Sequence, residues 1–300
     1  MGANLKEVRG RIKSVKSTQQ ITKAMKMVSA AKLRRAQQAI TQMRPYANKL
    51  NEMLTNILST LDGDATTTFG TERPVTNALV VVVTSNRGLA GAFNTNVIKR
   101  AVALIEEKYA TQRDNGSLTV MCIGKKGNDF FRRHYSSVKR IDEYVEVFSD
   151  LSFDNIALIS QQIMNEFEAG TYDAVEAVYG RFKNAAMQFP EAVQFLPVVK
   201  EEAEEEEKEE TKVKADYIFE PDKESLLKHL VPSILQMTFH KFLLDTHASE
   251  HGARMTAMDK ATENAEDMLK DLKITYNKAR QEAITKELSE IVGGAAALES

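Results

Sequence analysis

Between Ala248 and Ile291, apolar and small residues recur at alternating spacings of three and four: Met255, Met258, Thr262, Ala265, Leu269, Leu272, Tyr276, Ala279 and Ala283. A repeat of 3.5 residues is the seam of a left-handed coiled coil, and neither Gly nor Pro interrupts the chain between Ala253 and Val292. Charged residues such as Asp259, Lys260, Glu263, Lys270 and Arg280 fill the positions between. At Ile284, Leu288 and Ile291 the stripe steps sideways by one residue, the mark of a stutter. A stripe this narrow on so long a helix needs a second long helix to cover it.

The N-terminal part supplies one. The same spacing runs from Leu5 through Val8, Ile12, Val15, Gln19, Thr22, Lys26, Ser29, Leu33, Ala36, Ile40, Met43, Ala47, Leu50, Leu54 and Ile57 to Leu61, about 85 Å of helix at ~1.5 Å per residue. Pro45 lacks an N–H and predicts a kink, not an end, because the register resumes after it. In the middle the seam turns polar at Gln19, Thr22, Lys26 and Ser29, while Ile21, Met25 and Val28 form a displaced apolar line. A surface other than the partner helix is expected to touch that line.

The pattern then changes. Ala78–Thr84 is a continuous β-branched run, the mark of a strand buried on both faces. Helix is expected over Asn94–Tyr109, Gly127–His134 and Phe153–Ala169, and strand over Leu118–Gly124, Tyr172–Phe182 and Ala192–Val199. This alternation predicts a Rossmann-like α/β domain with a small, mostly parallel sheet. Eight Glu fall within the ten residues from Glu201 to Glu210, and like charges in a run repel and resist folding. The chain therefore reads as an N-terminal shaft helix (1–61), an α/β domain (75–200), an acidic disordered insertion (201–214) and a C-terminal segment (215–300) that carries the second shaft helix.

Composition narrows the function. A 43% hydrophobic content supports a sizeable core, and the single Cys, Cys122, allows no disulfide framework and suggests a reducing compartment. No apolar stretch reaches transmembrane length and no leader segment is expected, so a membrane link would run through other proteins. Charge matters by region: from Val8 to Asn51 there are eleven Lys or Arg residues and no acid. That leaves nucleic-acid phosphate and an acidic protein surface both open. The stretch has only Tyr46 for base stacking, which weighs against nucleic acid.

No catalytic constellation emerges. The turn Ser85-Asn86-Arg87-Gly88-Leu89-Ala90-Gly91 lacks the Gly-Lys-Ser/Thr ending of a P-loop and the three-glycine dinucleotide fingerprint. It reads as a tight strand-to-helix turn, and Gly124-Lys125-Lys126-Gly127 reads the same way. His247 and His251 stand four apart, but without the Glu placement of the zinc-protease motif and with no third ligand in view they read as solvated helix histidines. Cys122, mid-strand, is expected to be buried and inert. No cofactor and no metal is expected.

Near the N-terminus stand Arg11-Ile12-Lys13-Ser14-Val15, Ile21-Thr22-Lys23-Ala24-Met25-Lys26-Met27-Val28 and Lys32-Leu33-Arg34, and near the C-terminus the run from Ser249 to Met258 and the run from Tyr276 to Leu288. In these two ends together the chain resembles the gamma subunits of F-type ATP synthases of the bacterial type, and Arg87-Gly88-Leu89 with Gly91, Phe93 and Asn94 fits that family's turn after its first strand. The acidic run departs from the common pattern, and the dithiol insertion of the chloroplast members is absent. The resemblance implies an antiparallel coiled coil standing in a ring of alpha and beta subunits. It also implies an α/β base that meets epsilon and the membrane c ring, with delta in the same complex. The implied role is the central rotor shaft that couples ion-driven c-ring rotation to the beta catalytic sites, without a catalytic site of its own. The implied setting is the cytoplasmic face of the bacterial cell membrane, with no nucleic acid bound and no direct membrane insertion. By the same resemblance Met25, Lys26, Arg254, Arg280, Gln281, Thr285 and Glu287 contact the alpha/beta ring, with Arg280, Gln281, Thr285 and Glu287 lying across from Met25 and Lys26. Tyr217 and Glu220 are implied to contact the c ring or epsilon.

Overall fold

A computed structural model describes residues 5–60, 68–70, 73–198 and 223–298. Two helices dominate: α1, Leu5–Thr60, and α6, Lys223–Leu298. Each runs unbroken past its proline, Pro45 or Pro232. The chain divides into two compact units, one of Met1–Ala30 with Arg254–Ser300 and one of Ala31–Ala253. Both long helices contribute to both units.

The larger unit is built on five strands: β1 (Ala78–Val83), β2 (Leu118–Ile123), β3 (Lys139–Ile141), β4 (Ala174–Phe182) and β5 (Gln188–Leu196), in the order β3-β2-β1-β4-β5. The pairs β1–β2, β1–β4 and β2–β3 are parallel, and β4–β5 is antiparallel. Every residue of β1 and β2 is buried, as their unbroken apolar runs require. On one face Val80, Val82, Val120 and Cys122 pack with α2 (Phe93–Lys108) and α4 (Lys125–His134). The short helix α3 (Ala110–Asp114) follows α2. On the other face Leu79, Val81, Met121 and Ile123 pack with α5 (Phe153–Glu168) and with Leu235, Phe239, Phe242 and Leu243 of α6. Burying each such Leu or Phe contributes about 1.5–3 kcal/mol, so this end of α6 is a core helix.

Two features differ from the sequence expectation. The strand β3 has only three residues and no apolar pattern. The strand β5 begins at Gln188, four residues earlier than expected, and returns antiparallel from β4. The Asn184 side chain makes that hairpin, accepting from the Ala186 and Met187 amides at 3.0 and 2.8 Å. Pro190 fits because β5 is an edge strand.

In the smaller unit the expected seam is the buried one. Val8, Ile12, Val15, Gln19, Thr22, Lys26 and Ser29 of α1 are buried or half-buried, as are Met255, Met258, Thr262, Ala265, Leu269, Leu272, Tyr276 and Ala279 of α6. The two helices are antiparallel. Arg9 donates to the Tyr276 hydroxyl at 2.9 Å, the Thr22 and Thr262 hydroxyls meet at 2.8 Å, and Lys26 binds Asp259.

Candidate interaction surfaces of the coiled coil

Those three cross-contacts fix the register. Met25 lies level with Lys260, and Leu5 lies level with Arg280. Arg280, Gln281, Thr285 and Glu287 therefore do not lie across from Met25 and Lys26. They stand at least 20 residues along α6, about 30 Å away at ~1.5 Å per residue. From Arg280 to Ala295 every residue is exposed, Ile284, Leu288, Ile291 and Val292 among them. The sideways step of the apolar stripe thus falls where α6 runs past Leu5, the first described residue of α1.

Around Met25 the displaced line has the expected direction. Ile21 and Val28 are 59% and 58% exposed, and Met27 is equally open, while Met25 is half-buried beside the seam. The cations here are only partly used. Lys26 is held by Asp259, Arg9 by Tyr276 and Arg11 by Glu7. Lys13, Lys16 and Lys23 are exposed and have no acidic partner among the described residues. Arg254 is buried and engaged within the fold, so its side chain is not a free surface group. Tyr217, Glu220 and the acidic run 201–214 lie outside the described residues.

The turn after β1 is occupied by the chain itself. The Ser85 amide donates to Asn94 Oδ1 at 2.9 Å and the Ser85 hydroxyl to the Arg87 carbonyl at 2.7 Å. At the start of α4, the Lys125 amide donates to Asn86 Oδ1, the Lys126 amide to the Ser85 carbonyl and the Gly127 amide to Thr84 Oγ1. The amides of Ser85, Lys125, Lys126 and Gly127 are thus spent on packing the two strand-to-helix turns. Gly124, at φ 99°, is required there: a Cβ would sit 2.0 Å from the Thr84 carbonyl oxygen. Cys122 is buried, and burial pushes its thiol up to about 12.

The histidines differ from expectation. His251 is 5% exposed and His247 half-buried, with their Nε2 atoms 3.1 Å apart, so they are not solvated. Among the described residues no three His, Cys, Asp or Glu side chains gather as a metal cluster. The sequence reading also missed a buried polar row on α6. Thr246 accepts from the Gly180 amide at 3.2 Å and Ser249 donates to the Gly180 carbonyl at 2.9 Å. A lone Gly in a strand, matched by small hydroxyls three apart on a helix, was the available signal. Asp245 beside them is buried, and burial raises its carboxyl to about 6 against the opposing pull of Lys241 and Arg44.

A two-helix coil with an unpaired apolar end, a second exposed apolar line and unneutralised cations presents surfaces of the kind a subunit of a larger assembly carries. The family described as ATP synthase matches residues 4–298. The ATP synthase gamma chain of Cytophaga hutchinsonii is 54% identical over 295 residues, covering 98% of this chain and 99% of its own. That of Flavobacterium psychrophilum is 53% identical over 297 residues, covering 99% of each. The chain belongs to the ATP synthase gamma chain family, the rotor subunits of that complex. Solved structures agree in fold. A chain of the Euglena gracilis mitochondrial ATP synthase (OSCP/F1/c-ring, rotational state 3) aligns at a TM-score of 0.63 and 21% identity, covering 98% of this chain and 94% of its own. One from the Tetrahymena thermophila central stalk/c-ring aligns at 0.54 and 23%, covering 80% of this chain and 99% of its own. Among the described residues no helix is long and apolar enough to cross a membrane.

Proposed function

We propose that the two-helix coil is the shaft of a rotary ATP synthase, seated in a ring of alpha and beta subunits, and that the α/β unit meets epsilon and the membrane c ring. Delta belongs to the same complex, which lies at the cytoplasmic face of a bacterial cell membrane. The observation that carries this reading is the unpaired end of α6 beyond Arg280, whose exposed Ile284, Leu288, Ile291 and Val292 need a partner that this chain does not supply among its described residues. Unneutralised Lys13, Lys16 and Lys23 add charge complementarity for acidic loops of the ring.

In this reading Met25, Lys26, Gln281, Thr285 and Glu287 touch the ring at two levels of the shaft, Arg280 marks the end of the paired coil, and Arg254 acts by holding α6 in place. Tyr217 and Glu220 belong to the c-ring or epsilon contact. Rotation can drive the beta sites apart in affinity only if the shaft contacts their conformations differently. Reconstitution tests the proposal: alpha and beta subunits mixed with this chain should give ATP hydrolysis that depends on it, and a fluorescent rod attached to the α/β unit should rotate. Hydrolysis that is the same with and without the chain would reject the shaft role.

A further inference from the structure

His247 and His251 are one turn apart on α6, and their Nε2 atoms converge to 3.1 Å with the rings at 85° to each other. The Phe148 ring stacks on His247 with centroids 6.0 Å apart. The backbone beneath the pair is fixed as well, because Thr246 and Ser249 are bonded to Gly180 of β4. Two imidazole nitrogens are thus held at one point by a rigid scaffold, one of them on a side chain that is 5% exposed.

That spacing has a second use. With metal–nitrogen bonds of about 2.0–2.1 Å, two nitrogens 3.1 Å apart subtend about 100° at a shared ion, between the octahedral and tetrahedral angles. We propose that His247 and His251 form a bidentate, exchangeable site for a divalent cation of the zinc and copper class. Neutral imidazole suits Zn2+, Cu2+ and Ni2+, whereas Mg2+ and Ca2+ take oxygen. Two protein ligands leave the remaining positions to water, which makes the ion exchangeable and not structural. The ring that holds its proton on Nε2 shifts it to Nδ1, so two neutral rings accept the ion without net proton release. Bound there, the ion staples one turn of α6 at the place where the helix is bonded to the sheet.

The test uses Cu2+ as the probe, on the full chain and on the complex it assembles into, after chelator treatment. One Cu2+ should bind with an electron spin resonance spectrum showing two imidazole nitrogens, and a large excess of Zn2+, but not the same excess of Mg2+, should displace it. His247→Ala and His251→Gln should each lower Cu2+ affinity at least tenfold and remove one nitrogen or both. ATP hydrolysis supported by Mg2+, without added Cu2+ or Zn2+, should stay unchanged. If both variants fail to assemble, the unaltered chain decides. A nitroxide on Leu158→Cys, an exposed position of α5, should report the single Cu2+ distance that these histidines require. Oxygen-only ligation, an unchanged two-nitrogen signal in either variant, or a distance that fits another site overturns the proposal.

Discussion

Asp245 shows how one buried carboxyl sets a pH dependence. It lies in the fold near Lys241, Arg44, Arg181 and Glu191, and burial outweighs the cations, raising its pKa from 3.8 to about 6. The folded state therefore holds the proton more tightly than the unfolded chain does. Its contribution is intact below the unfolded pKa and is lost as pH rises through the folded one, a window from about 4 to 6. At about 1.4 kcal/mol per unit, the loss is on the order of 2–3 kcal/mol. Asp245→Asn should flatten that part of the stability profile and raise stability at pH 7.5 by about 1 kcal/mol, because it removes the buried charge, a gain that the lost attraction to Lys241 and Arg44 partly offsets. Urea denaturation at pH 4.5 and 7.5 checks it; an unchanged difference between the two would assign the pH effect to another group.

Among the elements, α6 does two jobs. Its first part is apolar on several sides and lies in the sheet's core, and its later part carries a single seam. The joint to β4 depends on Gly180, where a Cβ would come 2.5 Å from the Phe93 ring and 3.4 Å from Ser249 Cβ. Gly180→Val should push α6 off β4 and destabilise the α/β unit by more than about 3 kcal/mol, seen as early loss of amide protection in β4. Protection equal to wild type would mean that the helix can give way. Much of this architecture was legible in the sequence. The seam positions and the buried runs of β1 and β2 follow from short-range periodicity: β1 and β2 are buried throughout, and the described seam residues are buried or half-buried except Ala283, which is exposed. Three things were not legible, for separate reasons. The three residues of β3 carry no pattern, and β5 is set by a turn that Asn184 builds. The relative register of α1 and α6 is invisible to periodicity, because a heptad seam matches its partner equally well after a slide of seven residues. Only cross-contacts such as Lys26 with Asp259 choose one slide, which is why Arg280 and Glu287 stand far from Met25.

For the molecule working in its complex, that separation sharpens a test of coupling. Met25 is half-buried beside the seam, next to Lys26, whose ammonium is already held by Asp259. A second cation at position 25 adds charge that, in the shaft role proposed above, would seek a carboxylate on the surrounding ring. Where the proposed ring changes conformation as the shaft turns, an added contact that favours one state slows departure from it. Met25→Lys should therefore lower proton pumping per ATP hydrolysed while the complex still assembles. Glu287→Gln lies about 40 Å along the coil at ~1.5 Å per residue, too far to touch position 25. Sites so far apart add within about 0.3–0.5 kcal/mol when they act independently. In the proposed shaft role both sites would meet a ring that switches as a unit, so we expect the double variant to depart from additivity in pumping and hydrolysis. Additive losses would mean that the two levels of the shaft act on separate surfaces. An unassembled Met25→Lys complex would make the position one of packing.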